Sequence, residues 1–189
     1  MEYDVPTYNA VHACKLCPLN EVRLIATPAQ PGARYQQGGL AVMVETARED
    51  DNGVPLNGQR VRKLFDKMLT RAGLDRADVL TMVRVRCAPP RGRVRDHEDA
   101  QIMCDTHTQA ELAAYNPAVV LLMGGTTIEP IYGKKAGVVN THGTIASKGA
   151  KHVWGERLYV ATYHPAAALV ESALEQTIIE DMRLAVSLA

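Results

Sequence analysis

A chain of 189 residues, 47% of them apolar, can bury one sizeable core and is expected to form a single domain over 1–189. Basic and acidic residues balance at 21 each, so no global field draws the protein to nucleic acid or membrane, and any electrostatic footprint must be local. The start, Met1-Glu2-Tyr3-Asp4, is no signal peptide, and no stretch reaches the roughly 18 apolar residues of a membrane span, so a cytoplasmic monomer without membrane contact is expected.

Residues 1–20 carry a CxxC pair, Cys14-Lys15-Leu16-Cys17, and a short helix, and Ala26–Gly38 reads as a proline- and glycine-bearing loop. Leu40–Val44 is an apolar run of buried-strand length, followed by the acidic loop Glu45–Gly58. Val61, Leu64, Phe65, Met68 and Leu69 recur at helical spacing, which predicts a helix over Val61–Ala72 with Gly73 as its stop. A second strand is predicted over Val79–Val85, an irregular loop over Cys87–Asp96, and a helix over Glu98–Tyr115 that ends at Asn116-Pro117. A third strand, Val119–Met123, runs into Gly124-Gly125 and a short helix, Thr126–Tyr132. Gly133–Gly155 reads as a turn and hairpin, Leu158–Tyr163 as a fourth strand ending at His164-Pro165, and Ala173–Leu188 as a closing helix. Strands alternating with helices predict a three-layer α/β/α fold around a central, mainly parallel four-stranded sheet. Ligands bind beyond the carboxyl ends of such strands, which singles out four loops: Glu45–Gly58, Arg86–His97, Gly124–Thr127 and His164–Leu169.

Four cysteines in a reducing compartment are metal ligands more often than disulfides. Cys14 and Cys17 have the spacing of a metal knuckle, and sixteen residues separate Cys87 from Cys104. A redox dithiol would stand between a strand and a helix, whereas this pair precedes the first strand. A zinc site more often shows two short-spaced pairs. Ligand type and spacing put an iron–sulfur cluster first, with zinc and unrelated buried thiols as alternatives.

The landmarks together resemble the iron–sulfur, family 4 branch of the uracil-DNA glycosylase superfamily. That family opens with CxxCxL, matched by Cys14-Lys15-Leu16-Cys17-Pro18-Leu19. Its glycine-rich motif ends in ED-x-x-G-x-PF-x-G, matched by Glu49-Asp50-Asp51-Asn52-Gly53-Val54-Pro55-Leu56-Asn57-Gly58, and its second strand ends in TN-x-x-K-C-RPP, facing Met82–Pro90 here. Its late HPS stands against His164-Pro165-Ala166. The resemblance implies the family's four-stranded parallel sheet and a 4Fe–4S cluster on Cys14, Cys17, Cys87 and Cys104. It implies catalytic roles for Glu45 and Asp50, which would position or polarise water, and for His164, which would stabilise the departing base. Leu169 would fill the space of a flipped base.

The pocket departs from the family pattern. Leu56 replaces the phenylalanine that stacks on uracil, Val83 replaces the asparagine that reads the pyrimidine edge, and the proline–glycine turn after Glu45 is absent. A pocket that loses its hydrogen-bonding reader loses discrimination by that route.

Arg84, Arg86, Arg91, Arg93 and Arg95 fall within twelve residues, a concentration suited to phosphates of single- or double-stranded DNA. Lys134, Lys135, Lys148 and Lys151 extend that footprint. The expected function is a DNA-binding glycosylase that flips a base, uracil by default, and hydrolyses its N-glycosidic bond in base-excision repair. The alternatives are a binding protein that keeps fold and cluster without catalysis, and a glycosylase retuned to another base.

Overall fold

The structure, a computed structural model, describes residues 5–23, 25–146 and 153–189. In chain order its elements are α1 (Val5–Ala13), α2 (Leu19–Val22), β1 (Gln30–Pro31), β2 (Leu40–Thr46), α3 (Gln59–Ala72), β3 (Leu80–Val85), α4 (Glu98–Tyr115), β4 (Val119–Met123), α5 (Gly125–Tyr132), α6 (Val138–Thr141), β5 (Ile145–Ala146), β6 (Leu158–Thr162) and α7 (Leu174–Leu188). The four apolar runs form the expected parallel strands, and these lie in the order β3-β2-β4-β6. Two short antiparallel strands, β1 against β3 and β5 against β6, extend the sheet to six. At two residues each, neither carries a periodicity that a sequence could reveal.

The parallel strands are continuous apolar runs because helices cover both faces. Val42, Val44, Val83, Leu121 and Val160 pack against Phe65, Met68 and Leu69 of α3 and Ile178, Ile179 and Met182 of α7. On the other face Ala41, Met43, Leu80, Met82 and Leu122 pack against Leu112 and Tyr115 of α4, with Ile128 and Trp154. Helix α3 stops at Gly73, where φ is +92° and the amide donates to the carbonyls of Leu69 and Thr70.

The chain moves outward from β2 to β3, then crosses back to place β4 on the other side of β2. The switch point therefore lies between β2 and β4, where sheets of this kind open a crevice beyond the strand ends. Glu45 stands at that end of β2, and Gly124 follows β4 beside it.

Candidate functional site

At the switch point, one carboxylate is held by a helix start. Glu45 Oε1 accepts from the Thr126 amide at 3.0 Å and the Thr126 hydroxyl at 3.2 Å. Thr126 lies in the first turn of α5, where backbone N–H groups have no helical acceptor and the helix dipole favours negative charge. Gly124 makes this approach possible, since its φ is +106° and a Cβ there would sit 2.7 Å from Glu45 Cδ. A side chain at 124 would displace the carboxylate.

His164 follows β6, two strands away from β2. It starts a 3-10 turn, Pro165–Leu169, and its Nδ1 accepts from the Ala166 amide at 3.1 Å. That bond places the neutral ring's proton on Nε2, which is left as a donor. Burial lowers the imidazole's proton affinity; the Glu45 carboxylate partly restores it and Arg48 opposes it, so all three groups share one electrostatic neighbourhood. The end of β6 is tied to α7 by Thr162, whose hydroxyl donates to the buried Asp181 at 2.6 Å. At the far end of the 3-10 turn Leu169 is 46% exposed and Val170 is 93% exposed.

The loop after β2 is organised by an acid that sequence matching passed over. Asp51 is buried; its Oδ1 accepts from the amides of Asn57 (2.9 Å) and Gly58 (2.8 Å), and its Oδ2 from the Arg48 amide (3.1 Å). Burial raises its pKa, and those amides offset only part of the rise. The run of acids hid which one turns inward, although an Asp followed by Asn-Gly is a loop-forming signal. Asp50 is exposed, pairs with Arg48 at 3.4 Å and faces Gly58. With Arg48, Pro89 and Arg91 it lines a cleft of about 340 Å³.

Leu56 and Val83, expected as pocket walls, are core residues. Leu56 is 2% exposed with φ +57°, an uncommon conformation for leucine, and Arg76 holds its carbonyl at 3.0 Å. Val83 pairs in register with Val44 and is fully buried. Neither offers an open face to a base, because both pack into the layer between the sheet and α3 and α7.

The arginine cluster divides. Arg91, Arg93 and Arg95 are exposed, and Arg95 reaches back to Gly125 at the start of α5. Arg84 and Arg86, expected at the DNA surface, are buried at 6% and 1% exposure. They alternate with Val83 and Val85 and so face α4, where Gln101, Asp105, Thr108 and Glu111 form a polar stripe at helical spacing. Arg86 forms an ion pair with Glu111, whose other oxygen accepts from the Ala29 amide at 2.9 Å. Lys134 is exposed and pairs with Glu98 at 2.8 Å; Lys135 is also exposed; Lys148 and Lys151 lie outside the described residues.

The four cysteines come from three segments, the α1–α2 junction, the end of β3 and α4, and none is in a disulfide. Cys17, Cys87 and Cys104 share one buried cluster with Leu19, Val85, Val94 and Ala100, and Cys14 is close enough to act on the Cys87 thiol electrostatically. Arg23 donates to Cys87 Sγ at 3.5 Å and to the carbonyl of His12 at 2.7 Å. Burial pushes the Cys104 thiol up to about 11. Among the described residues no three His, Cys, Asp or Glu side chains are close enough to share one metal ion.

Comparison with known proteins settles the family. The sequence model of the Uracil DNA glycosylase superfamily matches residues 15–183. The chain belongs to the uracil DNA glycosylase superfamily. Among its relatives in that superfamily is the Type-4 uracil-DNA glycosylase of Sulfurisphaera tokodaii, 28% identical over 179 residues that cover 92% of this chain and 79% of that protein. The Type-4 uracil-DNA glycosylase of Pyrobaculum aerophilum is 25% identical over 184 residues, covering 94% and 90%. That of Saccharolobus solfataricus is 25% identical over 180 residues, covering 92% and 80%. The superfamily match takes in Cys17, Cys87 and Cys104, the loop after β2, both arginine groups and His164, and begins one residue after Cys14.

Proposed function

We propose that the protein is a DNA glycosylase of the type-4 kind that binds DNA, turns a base out of the stack and hydrolyses its N-glycosidic bond, with uracil as the default base in base-excision repair. One observation carries this reading: a carboxylate fixed at the switch point shares its surroundings with a neutral imidazole whose Nε2–H is free to donate. Breaking an N-glycosidic bond builds positive charge on the sugar and negative charge on the base. Glu45, with Oε1 engaged by Thr126, presents Oε2 to a water, accepts its proton and lies near the developing cation. The water oxygen bonds to the sugar carbon while the bonding pair leaves with the base, whose oxygen accepts from His164 Nε2–H. Asp50, exposed and paired with Arg48, belongs to the cleft beside this site. The exposed Arg91, Arg93 and Arg95 take phosphates, and Leu169 with its exposed apolar side chain fits the gap in the base stack.

The four cysteines suit a 4Fe–4S cluster. Cys17, Cys87 and Cys104 gather in one buried patch with the partly buried Cys14 beside them, and four thiolates are the ligand set of such a cluster. Bound there, the cluster supplies a structural crosslink among the α1–α2 segment, the end of β3 and α4. A second reading is a glycosylase retuned to another base, because Leu56 and Val83 are buried in the core and Val83 has no amide with which to read a pyrimidine edge.

The test is excision from single- and double-stranded DNA carrying uracil or other modified bases, followed by alkaline cleavage. Scission at uracil that disappears in His164→Ala supports the first reading, and scission confined to another base supports the second. DNA binding without scission on any substrate would establish a binding protein. Matching amounts of iron and acid-labile sulfide in a brown protein support the cluster; a colourless, zinc-loaded protein sinks it.

A further inference from the structure

Helix α5 has a proline at its sixth position. Pro130 has no N–H, so the carbonyl of Thr126, four residues earlier, has no donor within the helix. A buried carbonyl left in this state costs free energy unless something else supplies the hydrogen bond. Arg84 supplies it: its Nη1 donates to the Thr126 carbonyl from β3. The same Thr126 donates its amide and its hydroxyl to Glu45 Oε1.

We infer that Arg84 is a positioning residue for the Glu45 carboxylate, acting through the Thr126 peptide in the place of the hydrogen bond that Pro130 cannot make. The inference rests on the reading of Glu45 given above, because it matters to catalysis only if that carboxylate orients water. The guanidinium is itself held. Nη1 also donates to Gln101 Oε1 at 3.2 Å, Nε lies 3.4 Å from Asp105 Oδ1, and the group stacks 5.6 Å from the centre of the Trp154 ring. Trp154 Nε1 donates to the same Asp105 oxygen at 3.0 Å. A planar fork can satisfy the carbonyl, the amide oxygen, the carboxylate and the ring together, which a lysine ammonium cannot. The first turn of α5 needs the support because Gly124, at φ +106°, enters it without a side chain.

The experiment compares Arg84→Met, Pro130→Ala and the double variant, with an N–H at position 130 expected to return a donor to the Thr126 carbonyl. Three quantities are read: single-turnover excision, DNA affinity with its salt dependence, and hydrogen exchange of the Thr126 amide. Arg84→Met is expected to slow excision by about ten- to a hundredfold, the scale of a small misplacement of a reacting group. DNA affinity and its salt dependence stay as in the wild type, because the guanidinium meets no phosphate. The Thr126 amide exchanges faster in Arg84→Met, and Pro130→Ala restores both exchange and rate in the double variant while changing little alone. Weakened DNA binding with a shallower salt dependence and unchanged Thr126 exchange would make Arg84 a DNA contact and overturn the inference. Faster Thr126 exchange with undiminished excision would uphold the link from Arg84 to Thr126 and remove Glu45 from the mechanism. If Arg84→Met does not fold, Arg84→Lys with and without Pro130→Ala gives the same comparison, and absence of any rescue counts against the inference.

Discussion

Five arginines lie within twelve residues of one another, yet the two on β3 and the three in the loop beyond it inhabit different environments. Arg84 and Arg86 are enclosed by α4 and bonded to Gln101, Asp105, Thr108 and Glu111. Arg91, Arg93 and Arg95 are exposed around a proline–glycine bend, with Arg91 itself at φ +57°. The difference teaches that charge density along a sequence does not report surface charge. Strand alternation turned two of these side chains inward, and a matching polar stripe on a helix made their burial tolerable, since a buried charge survives only when paired.

The sharpest break of that contrast is expected at the buried pair. Glu111→Ala leaves the Arg86 guanidinium uncompensated and should cost about 3–5 kcal/mol in chemical denaturation, the scale for a broken buried ion pair. Truncating exposed Arg93 should cost no more than about 0.5 kcal/mol. Equal losses at the two sites would erase the distinction.

At the strand ends, His164→Ala is expected to lower single-turnover excision by about 10²–10³-fold, the magnitude of one lost transition-state donor, with DNA affinity retained. Its pH behaviour follows from burial, which holds the imidazole below its ordinary range. The unfolded chain takes up a proton on His164 before the folded one does, so this residue's contribution to stability is complete above about pH 6.5 and declines as the pH falls toward the folded value. Excision should decline only at the acidic end of that window, as the pH falls through the lowered folded value, because protonating Nδ1 removes the acceptor of the Ala166 amide. A pH–rate profile whose acidic limb persists unchanged in His164→Gln would assign that limb elsewhere.

A smaller effect is expected in the loop after β2. Asp51→Ala deprives three backbone amides of their acceptor and should cost about 1–3 kcal/mol, whereas Asp50→Ala, at an exposed side chain, should leave the denaturation midpoint nearly unchanged. Smallest are the loop arginines taken singly. Arg91→Gln, Arg93→Gln and Arg95→Gln are each expected to weaken DNA binding modestly and to reduce the slope of log affinity against log salt by about 1. Titration at several salt concentrations reads both quantities.

The placement of much of the candidate site was legible in the sequence. Glu45 and His164 stand at the ends of apolar runs, where α/β sheets expose functional groups, and the cysteine spacing placed Cys14, Cys17, Cys87 and Cys104 together across three segments. Asp51 was hidden among its acidic neighbours, because composition cannot say which carboxylate of a run meets converging amides. Leu56 and Val83 occupy motif positions, but their burial depends on how tightly α3 and α7 close over the sheet. The inward turn of Arg84 and Arg86 was implied by Met82-Val83-Arg84-Val85-Arg86, whose alternation puts both guanidiniums on the face of Met82.

The sequence by itself determined the four parallel strands, the helices between them and the family, because these depend on periodicity, apolar run length and short-range motifs. Only the tertiary structure decided which charges are structural and which are free. It also decided that Thr126 joins Arg84 to Glu45 across α5, because that link is made of contacts 42 and 81 positions apart in sequence, the first through a carbonyl left open by Pro130. No local pattern encodes such a contact; it exists only once β2, β3 and the start of α5 lie side by side.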